Sequence, residues 1–205
     1  KAMRNGILIT VLFACLIGSS LLFYAGWELI IVGLLCVLFA FLYTTGPYPL
    51  SYNGWGDILV IVFFGFVPVG GTYYVQALTW TTDTTIASLI CGLLIDTLLV
   101  VNNYRDREAD ARSGKRTVIV RFGEKFGSYL YLMLGMTASL LCFWFLFEGH
   151  LYAALLPLLY LIPHFLTWKR MVRIHSGKKL NSILGETSRN MLLMGILLSI
   201  GFFLN

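Results

Sequence analysis

Two aspartates four residues apart, Asp106 and Asp110, sit in the stretch "NNYRDREADARSGKR", which places seven charged side chains between Arg105 and Lys115. Directly before it runs "LLIDTLLVV", which is almost wholly apolar. If the helix of that apolar run continues through the charged stretch, 100° per residue puts Asp96, Asn103, Asp106 and Asp110 on one face. Like-charged carboxylates one turn apart repel by a few tenths of a kcal/mol on an exposed helix, and a divalent cation reverses that sign. Mg²⁺ prefers oxygen ligands and is typically held by one or two carboxylates plus substrate phosphates, so Asp106 and Asp110, with the neutral oxygen of Asn103, are candidate metal ligands. The interleaved Arg105, Arg112, Lys115 and Arg116 cannot ligate a cation but can bind anionic oxygens. Gly114 lets the chain turn so that Lys115 and Arg116 point back at the acids. Acids and bases mixed this densely point to a metal-bridged phosphate or diphosphate. The plainer alternative is a basic loop at a membrane border with compensating acids.

What positions these residues is a membrane. The chain has 205 residues, 58% hydrophobic and 12% charged, with mean hydropathy +0.80. A soluble domain carries roughly 25% charged residues. The expected fold is all-α, a polytopic integral membrane helical bundle forming a single transmembrane domain over residues 1–205. Seven apolar segments stand out, near 5–24, 29–43, 58–78, 86–101, 126–147, 151–168 and 190–204. The second and fourth are short for a ~20-residue span. With seven spans, all 15 Lys and Arg fall on one face, at the N-terminal end and in the polar regions 102–125 and 169–189. The opposite connections hold Glu28, Asp83 and Glu148. This partition is a topology signal that sets "NNYRDREAD" on the cytoplasmic side, and it makes nucleic acid a poor partner for the net charge of +5.

Cys15, Cys36, Cys91 and Cys142 all lie in apolar segments without a Cys-x-x-Cys pair, and read as small hydrophobes. The three histidines are scattered. Asp96, inside an apolar run, costs ~2.5–3.5 kcal/mol on insertion scales; it can line the same cavity, pair with a base, or make a structural hydrogen bond. The third segment carries Gly65, Pro68, Gly70 and Gly71 at mid-depth, which reads either as a kinked core helix or as a cavity wall.

Three stretches carry a resemblance: "YTTGPYPLSYNGWGD" with "VFFGFVPVGGTYYVQ", then "VVNNYRDREADARSGKRTVIVRFG", then "LNSILGETSRNMLLMGILLSIG". The middle one resembles the second aspartate-rich motif of the UbiA superfamily of intramembrane aromatic prenyltransferases. The other two resemble its branch that prenylates 1,4-dihydroxy-2-naphthoate in menaquinone synthesis. The resemblance implies transfer of a polyprenyl group from polyprenyl diphosphate to that acid, with decarboxylation, in the bacterial inner (cytoplasmic) membrane. It implies Mg²⁺ at Asp106 and Asp110, diphosphate contacts from Lys115 and Arg116, and an allylic cation shielded by aromatic faces. Tyr74 and Tyr73, beyond the broken segment, and Tyr43 and Tyr48 are candidate walls, although tyrosines also populate membrane interfaces. The seven segments would match helices three to nine of a nine-helix family, so the first aspartate-rich motif has no counterpart and the domain reads as N-terminally incomplete. Relatives using hydroxybenzoate often carry a Lys or Arg in the 43–57 loop, which here has none. Rival readings are a UbiA-type enzyme with another acceptor such as 4-hydroxybenzoate, a CDP-alcohol phosphotransferase, and a transporter using Asp96. The phosphotransferase expects an Asp-Gly start that "DREADARSG" lacks, and the transporter expects ionisable groups in several spans.

Overall fold

The computed structural model describes residues 2–204, and no strand occurs among them. Six helices are long and apolar enough to cross a membrane: α1 (Ala2–Ala25), α3 (Gly56–Ala77), α4 (Thr82–Arg112), α5 (Val118–Phe147), α6 (Leu151–Ile174) and α7 (Lys178–Phe203). A shorter apolar helix, α2 (Glu28–Thr44), lies between the first two. The seven expected segments therefore all appear as helices, six of full spanning length. The chain is an integral membrane helical bundle. Lys1, one of the bases in the charge partition, lies outside the described residues.

The polar regions expected as long connections are mostly helix. α4 runs 31 residues to Arg112 and α5 begins at Val118, so only 113–117 connects them. α6 reaches Ile174 and α7 starts at Lys178. Ala, Arg, Glu and Lys are strong helix formers, and outside the hydrocarbon their charged ends meet water, so the helices continue past the apolar layer.

The centre of the bundle is α4, more than half of whose apolar window is buried. It packs most extensively on α5 and on α3. The α3–α4 crossing is tight because two glycines meet: a Cβ on Gly65 would lie 2.8 Å from the Gly92 Cα, and one on Gly92 would lie 2.8 Å from the Ile61 carbonyl oxygen. Small residues let membrane helices approach to backbone contact. The mid-depth interruption of α3 is a π-helical stretch, Ile61–Gly70, that contains Pro68. The wider turn accommodates the missing proline N–H without breaking the helix. Of the two readings of this segment, the core one holds for Gly65, which is buried against α4.

Among the described residues, a set of hydrogen bonds accompanies the apolar packing of α5, α6 and α7. Tyr160 Oη lies 2.9 Å from His164 Nδ1, and His164 Nε2 lies 3.2 Å from the Leu132 carbonyl. Tyr131 Oη lies 3.1 Å from Thr187 Oγ1, and Asn190 donates to Thr167 at 2.9 Å. These bonds stitch α5, α6 and α7 together, and His164 is a structural residue among them. The large apolar side chains of α1 are exposed: Leu8, Phe13 and Ile17 face outward, as lipid-facing residues do.

Candidate functional site: an acidic helix face, a docked loop and a cavity

The continued helix that the sequence required is present. α4 is capped by Thr81, whose side chain accepts from the Thr84 N–H at 3.1 Å, and runs without interruption through Asp96, Asn103, Asp106 and Asp110 to Arg112. All four acidic or amide side chains therefore share one face. It ends in a Schellman turn: Gly114 N–H donates to the Ala111 carbonyl at 3.2 Å, and Lys115 N–H to the Asp110 carbonyl at 3.0 Å. Gly114 takes φ +80°, a conformation that costs glycine little. The turn folds Lys115 back so that its Nζ lies 2.8 Å from Asp110 Oδ1. The Asp110 carboxylate holds the Lys115 ammonium above the ordinary lysine range, against partial desolvation.

Asp106 and Asp110 each have a cationic partner. Arg105 grips Asp106 twice, Nε to Oδ1 at 2.8 Å and Nη2 to Oδ2 at 2.6 Å. The same guanidinium donates to Asn102 at 2.8 Å and, across to α7, to Asn181 at 2.9 Å. Arg107 is committed elsewhere, to Glu124 at 3.0 Å and to the carbonyls of Tyr104 and His175. Arg112 and Arg116 are exposed.

Against this face docks the 45–55 loop. The Arg116 N–H donates to the Tyr52 carbonyl at 2.7 Å, and Arg121 Nη2 to the Asn53 carbonyl at 2.8 Å. The Lys115 ammonium lies 5.3 Å from the centre of the Tyr52 ring. Between loop and helix lies a cavity of about 370 Å³ lined by Tyr43, Tyr52, Asp57, Asn102, Asn103 and Lys115, with smaller residues. That size is within the range of small-molecule sites.

Of the residues singled out by sequence, Asn103, Asp106, Asp110, Lys115 and Arg105 come together on and beside the helix face; Asn103 and Lys115 also line the cavity, as does Tyr43, whereas Asp106, Asp110 and Arg105 do not. Tyr73 and Tyr74 do not. They lie in the last turns of α3, roughly 20–25 Å along the helix from Asp57 at its other end. Tyr48 is exposed in the loop. Asp96 is 1% exposed and one of its oxygens, Oδ1, is buried without a hydrogen-bond partner. Asp57, Tyr52 and Asn102 were missed. For Asp57 the available signal was its place as the lone acid closing the loop, at the first turn of a spanning helix.

Among the described residues no three His, Cys, Asp or Glu side chains converge. The available donors are two carboxylates and an amide oxygen on one helical face. That set suits a hard divalent cation whose remaining sites are filled by water and phosphate oxygens, and does not suit a self-sufficient protein cage.

The spanning bundle gathers paired acids, their cations and a small cavity at one end. The sequence profile of the UbiA prenyltransferase family matches residues 3–202, and the chain belongs to that family of prenyltransferase enzymes. The 1,4-dihydroxy-2-naphthoate octaprenyltransferase of Escherichia coli K12 is 33% identical over 221 residues, covering 100% of this chain and 69% of that protein. The enzyme of the same name from Haemophilus influenzae is 32% identical, covering 100% of this chain and 68% of its own length. That of Mycobacterium tuberculosis is 43% identical over 119 residues, 58% of this chain and 40% of that protein. No solved structure matches.

Proposed function

We propose that this prenyltransferase moves a polyprenyl group from polyprenyl diphosphate to 1,4-dihydroxy-2-naphthoate, with loss of the acceptor's carboxylate, to give demethylmenaquinone in its reduced, hydroquinone form. The observation that carries the reading is the Lys115–Asp110 pair: an ammonium folded back onto an acidic helix face, beside a cavity large enough for one bicyclic aromatic acid. The names of the Escherichia coli and Haemophilus influenzae relatives support the acceptor, as does a 43–57 loop free of Lys and Arg.

The exposed Arg112 and Arg116 attract the diphosphate, and Lys115 exchanges its bond with Asp110 for one with a phosphate oxygen. Asn103, Asp106 and Asp110 would hold Mg²⁺, which when bound neutralises charge building on the departing diphosphate. Tyr43 and Tyr52 present ring faces to the allylic carbon as positive charge develops there. An apolar groove of about 790 Å³ between α4 and α7, lined by Leu94, Ile95, Met191 and Ile196 among others, suits a polyprenyl tail. The charged face lies in the cytoplasm, where both the aromatic acid and the diphosphate are soluble.

The test is a transfer assay in membranes with polyprenyl diphosphate, Mg²⁺ and either 1,4-dihydroxy-2-naphthoate or 4-hydroxybenzoate. It is run on this chain and on the chain extended by the part of the Escherichia coli relative that it does not cover. Demethylmenaquinone in its hydroquinone form is expected, falling at least ~100-fold in Asp106→Ala. Product from hydroxybenzoate alone would move the acceptor, and no product from either would overturn the reading.

A further inference from the structure

Asp57 is the acid of the cavity that nothing has claimed. Asp106 and Asp110 on the neighbouring face are each held by a cation, Arg105 and Lys115. Asp57 lines the cavity, yet its Oδ1 is buried without a hydrogen-bond partner, and among the described residues no basic side chain forms an ion pair with it. Lys115, on the same cavity wall, is already committed to Asp110. A buried carboxylate oxygen with no partner gains most from an arriving proton or hydrogen bond. Two features around it bear on which form it takes. Asp57 sits in the first turn of α3, where the positive end of the helix dipole favours the anion. Asp96 on α4 lies within electrostatic reach of it, as does the phenol of Tyr43 on α2.

We propose that Asp57 is the catalytic base of the acceptor side: it takes the hydroxyl proton of the aromatic acid bound in this cavity and later returns it. The proposal rests on the reading of prenyl transfer to a hydroxynaphthoate. As the C1 hydroxyl O–H bond breaks, its proton passes to Asp57. The released electron pair drives the adjacent ring carbon, which bears the carboxylate, onto the allylic carbon, and the allylic C–O bond breaks with its pair leaving on the diphosphate. The new C–C bond leaves a C1 ketone. Loss of CO₂ then returns the electron pair of the breaking C–C bond to the ring, and C1 oxygen recovers its proton from Asp57. No oxidant or net proton is needed.

Three variants and two acceptor ethers separate the roles. In Asp57→Asn the amide oxygen still accepts a hydrogen bond but takes no proton, so the transfer rate is expected to fall ~10²–10⁴-fold, with diphosphate KM unchanged. Asp57→Glu restores part of the rate. Equilibrium binding gives a readout free of catalysis. The wild-type protein is expected to bind 1,4-dihydroxy-2-naphthoate roughly tenfold or more tightly than its 1-O-methyl ether, to bind the 4-O-methyl ether like the parent, and to lose the discrimination in Asp57→Ala. A rate in Asp57→Asn within a few-fold of wild type overturns the proposal, and so does equal binding of parent and 1-O-methyl ether by the wild type. If no variant, wild type included, transfers a prenyl group while the discrimination is present and lost in Asp57→Ala, prenyl transfer falls and the contact between Asp57 and the C1 hydroxyl stands.

Discussion

At the scale of single residues, Lys115 is the most informative side chain. Its pairing with Asp110 raises its proton affinity. A group whose folded value is raised contributes stability that is complete below its unfolded value and is lost as pH climbs through the folded one. For a lysine that window lies above about pH 10, so Lys115 stays cationic throughout the neutral range. A transfer–pH profile between about pH 6 and 9 is expected to show no inflection that disappears in Lys115→Met. The same variant is expected to raise the diphosphate KM roughly 10- to 100-fold, the size of a charge-assisted hydrogen bond, with a smaller loss in kcat. An unchanged KM would remove Lys115 from the diphosphate site.

The helices that hold these residues depend on a few backbone positions. The α3–α4 crossing carries Asp57 and the acidic face on its two partners, and it closes on Gly65 and Gly92. Gly92→Val is expected to destabilise the bundle by about 1–3 kcal/mol through overpacking, seen as an earlier thermal-aggregation midpoint in detergent. Gly185→Ala, where an added Cβ meets nothing within 4 Å, is the neutral control. In α5 the chain kinks at Gly123, φ 85° and ψ 174°, a region nearly closed to other residues. Although a Cβ there meets open space, Gly123→Ala is expected to cost about 1–3 kcal/mol in backbone strain. Its effect should reach Arg121, whose bond to the Asn53 carbonyl docks the loop, so acceptor KM is the companion measurement.

For the whole molecule, the charge partition makes a prediction about orientation. Ser113, between α4 and α5, and Thr79, between α3 and α4, are both exposed. In oriented vesicles a membrane-impermeant maleimide is expected to label Ser113→Cys from the cytoplasmic side alone and Thr79→Cys from the other. The reverse pattern would invert the bundle and place the cavity away from soluble acceptor.

Much of this architecture was legible in the chain because its causes are local. Seven apolar runs specify seven helices, since hydrocarbon leaves backbone groups no partner outside a helix. The spacing of Asn103, Asp106 and Asp110 specifies their shared face, given only that the helix continues. Gly114 and Lys115 specify the turn. What the chain left open depends on partners distant in sequence. That Arg105 also reaches Asn181 follows from how α7 packs beside α4, and that Tyr52 and Asp57 face the cavity while Tyr73 and Tyr74 stand at the far end of α3 follows from how the loop docks on α4. That docking is set by close approach at two glycines and by hydrogen bonds from residues 116 and 121 to residues 52 and 53. Composition and helical period determine which segments cross the membrane and which side chains share a face; only packing decides which acids meet a base and which one is left facing the cavity without one.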